Sequence, residues 1–163
     1  MIVIIMGVSG SGKTTIGRLL AAHLGWAFYD ADDFHSPDNI AKMSAGVALS
    51  DEDRAGWLDS LAEQLRSLLR GNTSSVLACS ALKQAYRQQL CLDPELVQFV
   101  YLEGDYELIR YRLEARTGHY MRPDMLSSQF AAIESPTDAF TISIDQTPAA
   151  IVAEIVDCLV EPN

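Results

Sequence analysis

The run Gly7-Val8-Ser9-Gly10-Ser11-Gly12-Lys13-Thr14 constrains this chain more than any other feature. It is a complete G-x-x-x-x-G-K-[ST] phosphate-binding loop. Its glycines let backbone N–H groups turn inward onto phosphate oxygens, the lysine reaches the β- and γ-phosphates, and the threonine hydroxyl can ligate Mg²⁺. The flanks agree with the motif. Ile2–Met6 is a short apolar run rich in β-branched residues and reads as a buried strand. Beyond the loop, Ile16, Leu19, Leu20 and Leu24 recur at helical spacing, so a helix opens at about Lys13 and turns the positive end of its dipole toward the phosphates. The candidate nucleotide-binding residues are therefore Gly7, Val8, Ser9, Gly10, Ser11, Gly12, Lys13, Thr14 and Thr15, with Lys13 also catalytic and Thr14 also a metal ligand.

Further strand-like runs fall at 26–29, 75–79, 98–102 and 141–144, with helical patterns between them. The pattern over 52–69 places Trp57, Leu61, Leu65 and Leu68 on one face behind a capping box of Ser50 and Asp53. Thr147-Pro148 opens the last helix as N-cap and first-turn proline. This alternation predicts one α/β domain over residues 1–163, a phosphate-loop nucleoside-triphosphatase fold whose five-stranded parallel sheet carries helices on both faces. Two stretches break the rhythm. We expect a substrate-binding insertion over about 30–57 and a lid over about 112–136, since ligands of open parallel sheets bind at the carboxyl ends of the strands.

The net charge of −10 argues against nucleic acid as a partner, which calls for a basic face. Of the twelve lysines and arginines, Lys13, Lys42, Arg54, Lys83, Arg87, Arg112, Arg116 and Arg122 lie in motif segments, which suggests a cationic cleft on an acidic surface. No run approaches the ~18 apolar residues of a membrane span, and no basic leader precedes the first strand, so a cytoplasmic location is expected. Cys79, Cys91 and Cys158 have no metal-binding spacing and read as small buried hydrophobes.

Asp30 and Asp32 follow the second strand. We expect that strand to neighbour the first, so that both carboxylates face the γ-phosphate from an extended segment. Asp30 would support Mg²⁺ beside Thr14, and Asp32 would orient and deprotonate an attacking hydroxyl. Arg112 and Arg116, four apart on a helix, would neutralise phosphoryl charge from the root of the lid. Ser80 follows the third strand, and Lys83 and Arg87 form an i,i+4 basic stripe beyond it that can bind an anionic group or stand as a solvated face. His35, Lys42 and Arg54 in the insertion have the same two readings.

Taken together, these segments resemble the gluconokinase family of small phosphate-loop carbohydrate kinases. Asp30-Ala31-Asp32-Asp33-Phe34-His35 is similar to the family's D-x-D-x-x-H. Asn39-Ile40-Ala41-Lys42-Met43 with Gly46, Leu49, Asp51, Asp53-Arg54 and Trp57-Leu58 resembles its next stretch. Cys79-Ser80-Ala81-Leu82-Lys83 with Tyr86-Arg87 resembles C-S-A-L-K-x-x-Y-R, and Arg112, Arg116, Gly118-His119 and Ser128-Gln129-Phe130 resemble its lid. Ala48 stands where the family usually has proline, Tyr120 where phenylalanine is common and Ile133 where leucine is common. The resemblance implies ATP- and Mg²⁺-dependent phosphorylation of D-gluconate at its 6-hydroxyl by a cytoplasmic homodimer. It also implies substrate contacts from Asp32, His35, Lys42, Ser80 and His119, with Arg54, Lys83 or Arg87 on the carboxylate. A shikimate-kinase-like enzyme and a non-catalytic nucleotide-gated module are the competing readings.

Overall fold

The computed structural model describes residues 1–115 and 126–160. In chain order the elements are β1 (Ile2–Met6), α1 (Lys13–Leu24), β2 (Ala27–Asp30), a 3₁₀ turn (Ala31–Phe34), α2 (Pro37–Ser44), α3 (Asp51–Arg70), β3 (Ser75–Ala78), α4 (Gln84–Leu90), β4 (Val97–Glu103), α5 (Tyr106–Glu114), α6 (Leu126–Ala132), β5 (Ala139–Ser143) and α7 (Pro148–Val160). The five strands form one sheet in the order β2-β3-β1-β4-β5, parallel throughout.

β1 lies at the centre and all five of its residues are buried, as a strand covered on both faces requires. Its period of two divides the core. Val3 and Ile5 pack with Ile16, Leu20, Ile109 and Ile151 from α1, α5 and α7. Ile2, Ile4 and Met6 pack with Trp57, Leu61, Leu65 and Leu90 from α3 and α4. Each large apolar side chain buried in this way contributes roughly 1.5–3 kcal/mol, so tertiary packing, more than helix propensity, fixes the long helix α3. The capping box is formed: Ser50 Oγ accepts from the Asp53 N–H at 3.1 Å, and Asp53 Oδ2 accepts from the Ser50 N–H at 2.9 Å. Thr147 Oγ1 accepts from the Ala150 N–H at 3.3 Å, closing the start of α7.

One expectation about the sheet is corrected. β2 is not the neighbour of β1, because β3 lies between them. The acidic residues still reach the phosphate loop, because the register aligns the strand ends. Ile5 pairs with Ala78, and Ala78 pairs with Asp30. The segments that continue past this row, Gly7 onward, Ser80 onward and Asp32 onward, therefore emerge side by side at the carboxyl edge, where ligands of parallel sheets bind.

Candidate active site

The phosphate loop folds as its glycines dictate. Gly7, Gly10 and Gly12 have φ of 144°, 84° and 99°. At Gly7 a Cβ would lie 2.8 Å from Ser11 Oγ and 2.9 Å from the Leu102 carbonyl, so no side chain fits there. Gly12 is the N-cap of α1, which directs the first N–H groups of the helix into the loop. Lys13 Nζ donates to the Val8 carbonyl at 3.0 Å, which holds it across the loop it serves.

Ser9, Gly10, Gly12, Lys13 and Thr14 line one wall of a single cavity. Asp30, Asp32, His35, Arg54, Trp57 and Ser80 line the wall that continues from it. Thr14 Oγ1 donates to Asp30 Oδ2 at 2.8 Å, so a hydroxyl and a carboxylate, both hard oxygen donors, meet at the helix start. The segment after Asp30 is not extended as expected. It turns at once into the 3₁₀ element, because Asp30 caps it by accepting the Asp32 N–H on Oδ1 at 3.2 Å. That turn, and not strand alternation, brings Asp32 to the cavity beside Asp30, the last residue of β2.

His35 lies flat against Trp57, with ring centroids 4.6 Å apart and planes 9° apart. Trp57 is fixed in turn by its Nε1–H, which donates to the Ala31 carbonyl at 2.7 Å. Only 6% of the His35 side chain is exposed, and Nε2 faces Asp32 Oδ1 at 4.0 Å. Burial pulls its pKa below 6.5. The Asp32 charge opposes that shift and the Arg54 charge adds to it, so the ring is neutral at neutral pH. Nδ1 is buried and without a hydrogen-bond partner among the described residues. Arg54 NH1 donates to the Leu49 carbonyl at 2.8 Å, which anchors the guanidinium at the cavity.

Other expected ligands lie elsewhere. The Lys83–Arg87 stripe does not form: Lys83 is the N-cap of α4 in extended conformation, and Arg87 is 2% exposed. Arg87 NH1 donates to the Ala81 and Leu82 carbonyls, at 3.1 Å each, and so clamps a turn in which Ala81 has φ of 44°. Lys83 binds Asp51, and Lys42 Nζ binds Asp53 at 2.6 Å, a hydrogen bond that holds the Asp53 carboxyl down at about 2. Asn39 Nδ2 donates to the Asp53 carbonyl at 2.8 Å, so the two polar motif residues of α2 serve to dock it on α3. The broad cationic cleft is thereby corrected. Lys13 and Arg54 line the cavity together with Asp30 and Asp32, while Lys42 and Lys83 are neutralised beside it. Arg112 NH2 donates to the Ile144 carbonyl at 2.9 Å and does not line the cavity. Arg116 and His119, with Arg122, lie outside the described residues. Cys79 is wholly buried, and its thiol is pushed up to about 12, in keeping with a packing role.

Sequence reasoning named Gln129 in the lid resemblance but gave it no role at the site. Its Oε1 accepts the Ser9 N–H at 2.6 Å, so α6 is seated on the phosphate loop and Gln129 lines the cavity. Leu126, the first residue of α6, is fully buried, Phe130 meets Tyr106 edge-on, and the Glu134 N–H donates to the Leu82 carbonyl at 2.9 Å. A glutamine 120 residues from its partner leaves no local spacing to detect.

Comparison with known proteins agrees with this geometry. The shikimate kinase family matches residues 9–160. The thermosensitive gluconokinase of Escherichia coli (strain K12) is 49% identical over 82% of this chain and 71% of its own. The gluconokinase of Gluconobacter oxydans (strain 621H) is 40% identical over 94% of this chain and 88% of its own. The crystal structure of a gluconokinase from Sinorhizobium meliloti 1021 superposes with a TM-score of 0.87 at 36% identity, covering 97% of this chain and 90% of that one. The phosphate loop, the paired carboxylates after β2 and this likeness over most of the chain lead to one conclusion: the chain belongs to the gluconokinase family, within the wider shikimate kinase family of phosphate-loop kinases.

Proposed function

We infer that this protein transfers the γ-phosphoryl group of ATP to the 6-hydroxyl of D-gluconate, giving 6-phospho-D-gluconate. The observation that carries the reading is the shared cavity, with a phosphate loop on one wall and a carboxylate, an imidazole and a guanidinium on the other. Gluconate is a linear polyol with a carboxylate at one end. Its hydroxyls call for mixed donors and acceptors, which Asp32, His35 and Ser80 supply. Its carboxylate calls for a fixed cation. Of the three candidates Arg54, Lys83 and Arg87, Arg54 lines the cavity, and its planar fork suits bidentate binding.

The residues divide the work as follows. The loop N–H groups and Lys13 hold the phosphates. Asp32 orients the 6-hydroxyl and takes its proton as the new O–P bond forms and the bond to ADP breaks. His35, neutral and stacked on Trp57, fixes the polyol beside Asp32. Such transfers depend mainly on positioning and on stabilising charge on the phosphoryl oxygens. Thr14 and Asp30 are the residues that would hold Mg²⁺, which when bound neutralises phosphate charge. A single domain with its substrate insertion and lid, a homodimeric state and a cytoplasmic location belong to the same reading and rest on the family likeness. Among the described residues no helix is long and apolar enough to cross a membrane.

An ATP-coupled assay against D-gluconate and shikimate, with a no-acceptor control, tests the function. ADP release confined to gluconate, with 6-phosphogluconate as product, is the expected result. Turnover of shikimate in its place would move the protein to the other branch of the wider family, and slow acceptor-independent hydrolysis alone would make it a nucleotide-gated module.

A further inference from the structure

Asp51 opens α3, three residues before Arg54. At that spacing a carboxylate and a guanidinium share one helix face and readily close a paired, charge-assisted contact. Such a pair would occupy the very fork that the substrate carboxylate needs. Here it is held to a loose ion pair: Arg54 NH1 stands 3.9 Å from Asp51 Oδ1, beyond hydrogen-bond reach. The Asp51 oxygens are already engaged. Lys83 Nζ donates to Oδ1 at 2.8 Å and to Oδ2 at 2.7 Å, and the Tyr86 hydroxyl also donates to Oδ1. The Tyr86 ring carries both cations, with Arg54 Cζ at 5.9 Å and Lys83 Nζ at 5.7 Å from its centroid. Arg54 lines the cavity; Asp51, Lys83 and Tyr86 do not.

We propose that Lys83 is a positioning residue that acts by occupying Asp51, which keeps the Arg54 guanidinium available to the anionic end of the substrate. The inference rests on the reading of Arg54 as the carboxylate ligand. It gives distinct roles to Arg54 and Lys83, two residues that sequence spacing could only offer as alternatives. Lys83 reaches Asp51 from the β3–α4 loop, 32 residues away, so the loop that carries Ser80 also sets the charge state of the α3 terminus. An exposed ion pair of this kind adds little to stability. Its effect is to decide which cation hydrogen-bonds to Asp51. The hydrogen bonds from Lys83 and then Tyr86 hold the Asp51 carboxyl below its ordinary range, and Asp51 raises Lys83, so both partners stay charged at neutral pH.

The test is steady-state kinetics on Lys83→Met, Lys83→Met with Asp51→Asn, and Arg54→Ala, with melting curves for each. Lys83→Met releases Asp51 onto Arg54 and raises the KM for gluconate about tenfold, the scale of one charge-assisted hydrogen bond, leaving kcat and the KM for ATP within about twofold. The double variant removes the competing charge and returns the gluconate KM to near the wild-type value. An unchanged KM in Lys83→Met overturns the proposal. So does a double variant as impaired as the single one, which would mean that Lys83 touches the substrate itself. If Lys83→Met melts below the assay temperature, Lys83→Gln takes its place. Arg54→Ala separates the two levels of the argument: an unchanged gluconate KM there refutes the carboxylate reading, whereas a raised KM there with no effect at Lys83 refutes the positioning role alone.

Discussion

The phosphate wall of the cavity comes from one unbroken segment, Ser9 to Thr14, whereas the substrate wall is gathered from the end of β2 and the turn after it, the start of α3, the loop after β3 and helix α6. The first wall works through backbone N–H groups whose directions follow from glycine dihedrals and a helix start. The second works through side chains, and each is held by a neighbouring group: His35 by Trp57, Trp57 by the Ala31 carbonyl, and Arg54 by the Leu49 carbonyl. A wall of the first kind loses function when one charged tip is removed and keeps its shape. A wall of the second kind loses shape and function together.

The sharpest test of this contrast is Lys13→Ala. From the cavity rim its Nζ donates to the Val8 carbonyl at 3.0 Å and packs no core, so stability should change by only about 1–2 kcal/mol. Turnover should fall roughly a thousandfold or more, since the lysine faces charge that develops in transfer. Single-turnover rates and a urea titration measure the two sides. Activity within about tenfold of wild type would remove the phosphate loop from the chemistry.

Trp57→Ala probes the other wall. Trp57 is 4% exposed, and its loss removes core packing, the Ala31 hydrogen bond and the His35 platform at once. We expect a stability loss of about 3–5 kcal/mol. At a temperature where the variant remains folded, gluconate affinity should fall far more than nucleotide affinity. Equal losses on calorimetric titration with both ligands would show that the walls are not separable.

The same contrast explains what could be read from the chain. The phosphate loop, its strand and its helix were legible because the information is contiguous: Ile2–Met6, the glycines and the helical spacing after Lys13 each constrain their neighbours. The Ser50–Asp53 cap was legible for the same reason. Sheet order was not, because nothing local in β2 states that β3 will slot between it and β1. Charge counting also overreached. Lys83 and Arg87 look equivalent at i,i+4, but the chain is not yet helical at Lys83, and the positive φ at Ala81 turns the loop so that Arg87 is drawn inside to clamp it. Asp51 and Asp53, read in sequence as motif letters, prove to be the counter-charges that quench Lys83 and Lys42. A polar side chain's role in this wall depends on partners tens of residues away, and single-sequence spacing does not carry that distance.

The smallest effect is a pH dependence localised to His35. Its folded pKa lies below 6.5 because burial disfavours the charged ring, with Asp32 opposing and Arg54 assisting. Below 6.5 the unfolded chain takes up a proton on this residue that the folded chain resists. Stability therefore falls as pH drops from that value toward the lowered folded pKa, and the contribution levels off beneath it. His35→Gln keeps a planar polar group against Trp57 but cannot titrate, so this component should vanish from its urea midpoints between about pH 7 and pH 5. The same proton bears on the chemistry. An imidazolium facing Asp32 at 4.0 Å would draw the carboxylate away from the substrate hydroxyl, so the wild-type rate should decline across the window in which the stability falls, and the variant's rate should not. If wild type and His35→Gln trace parallel curves in both measurements, the ring is not held neutral by its stack on Trp57, and the substrate wall would then be as tolerant of a change in charge as the phosphate wall is.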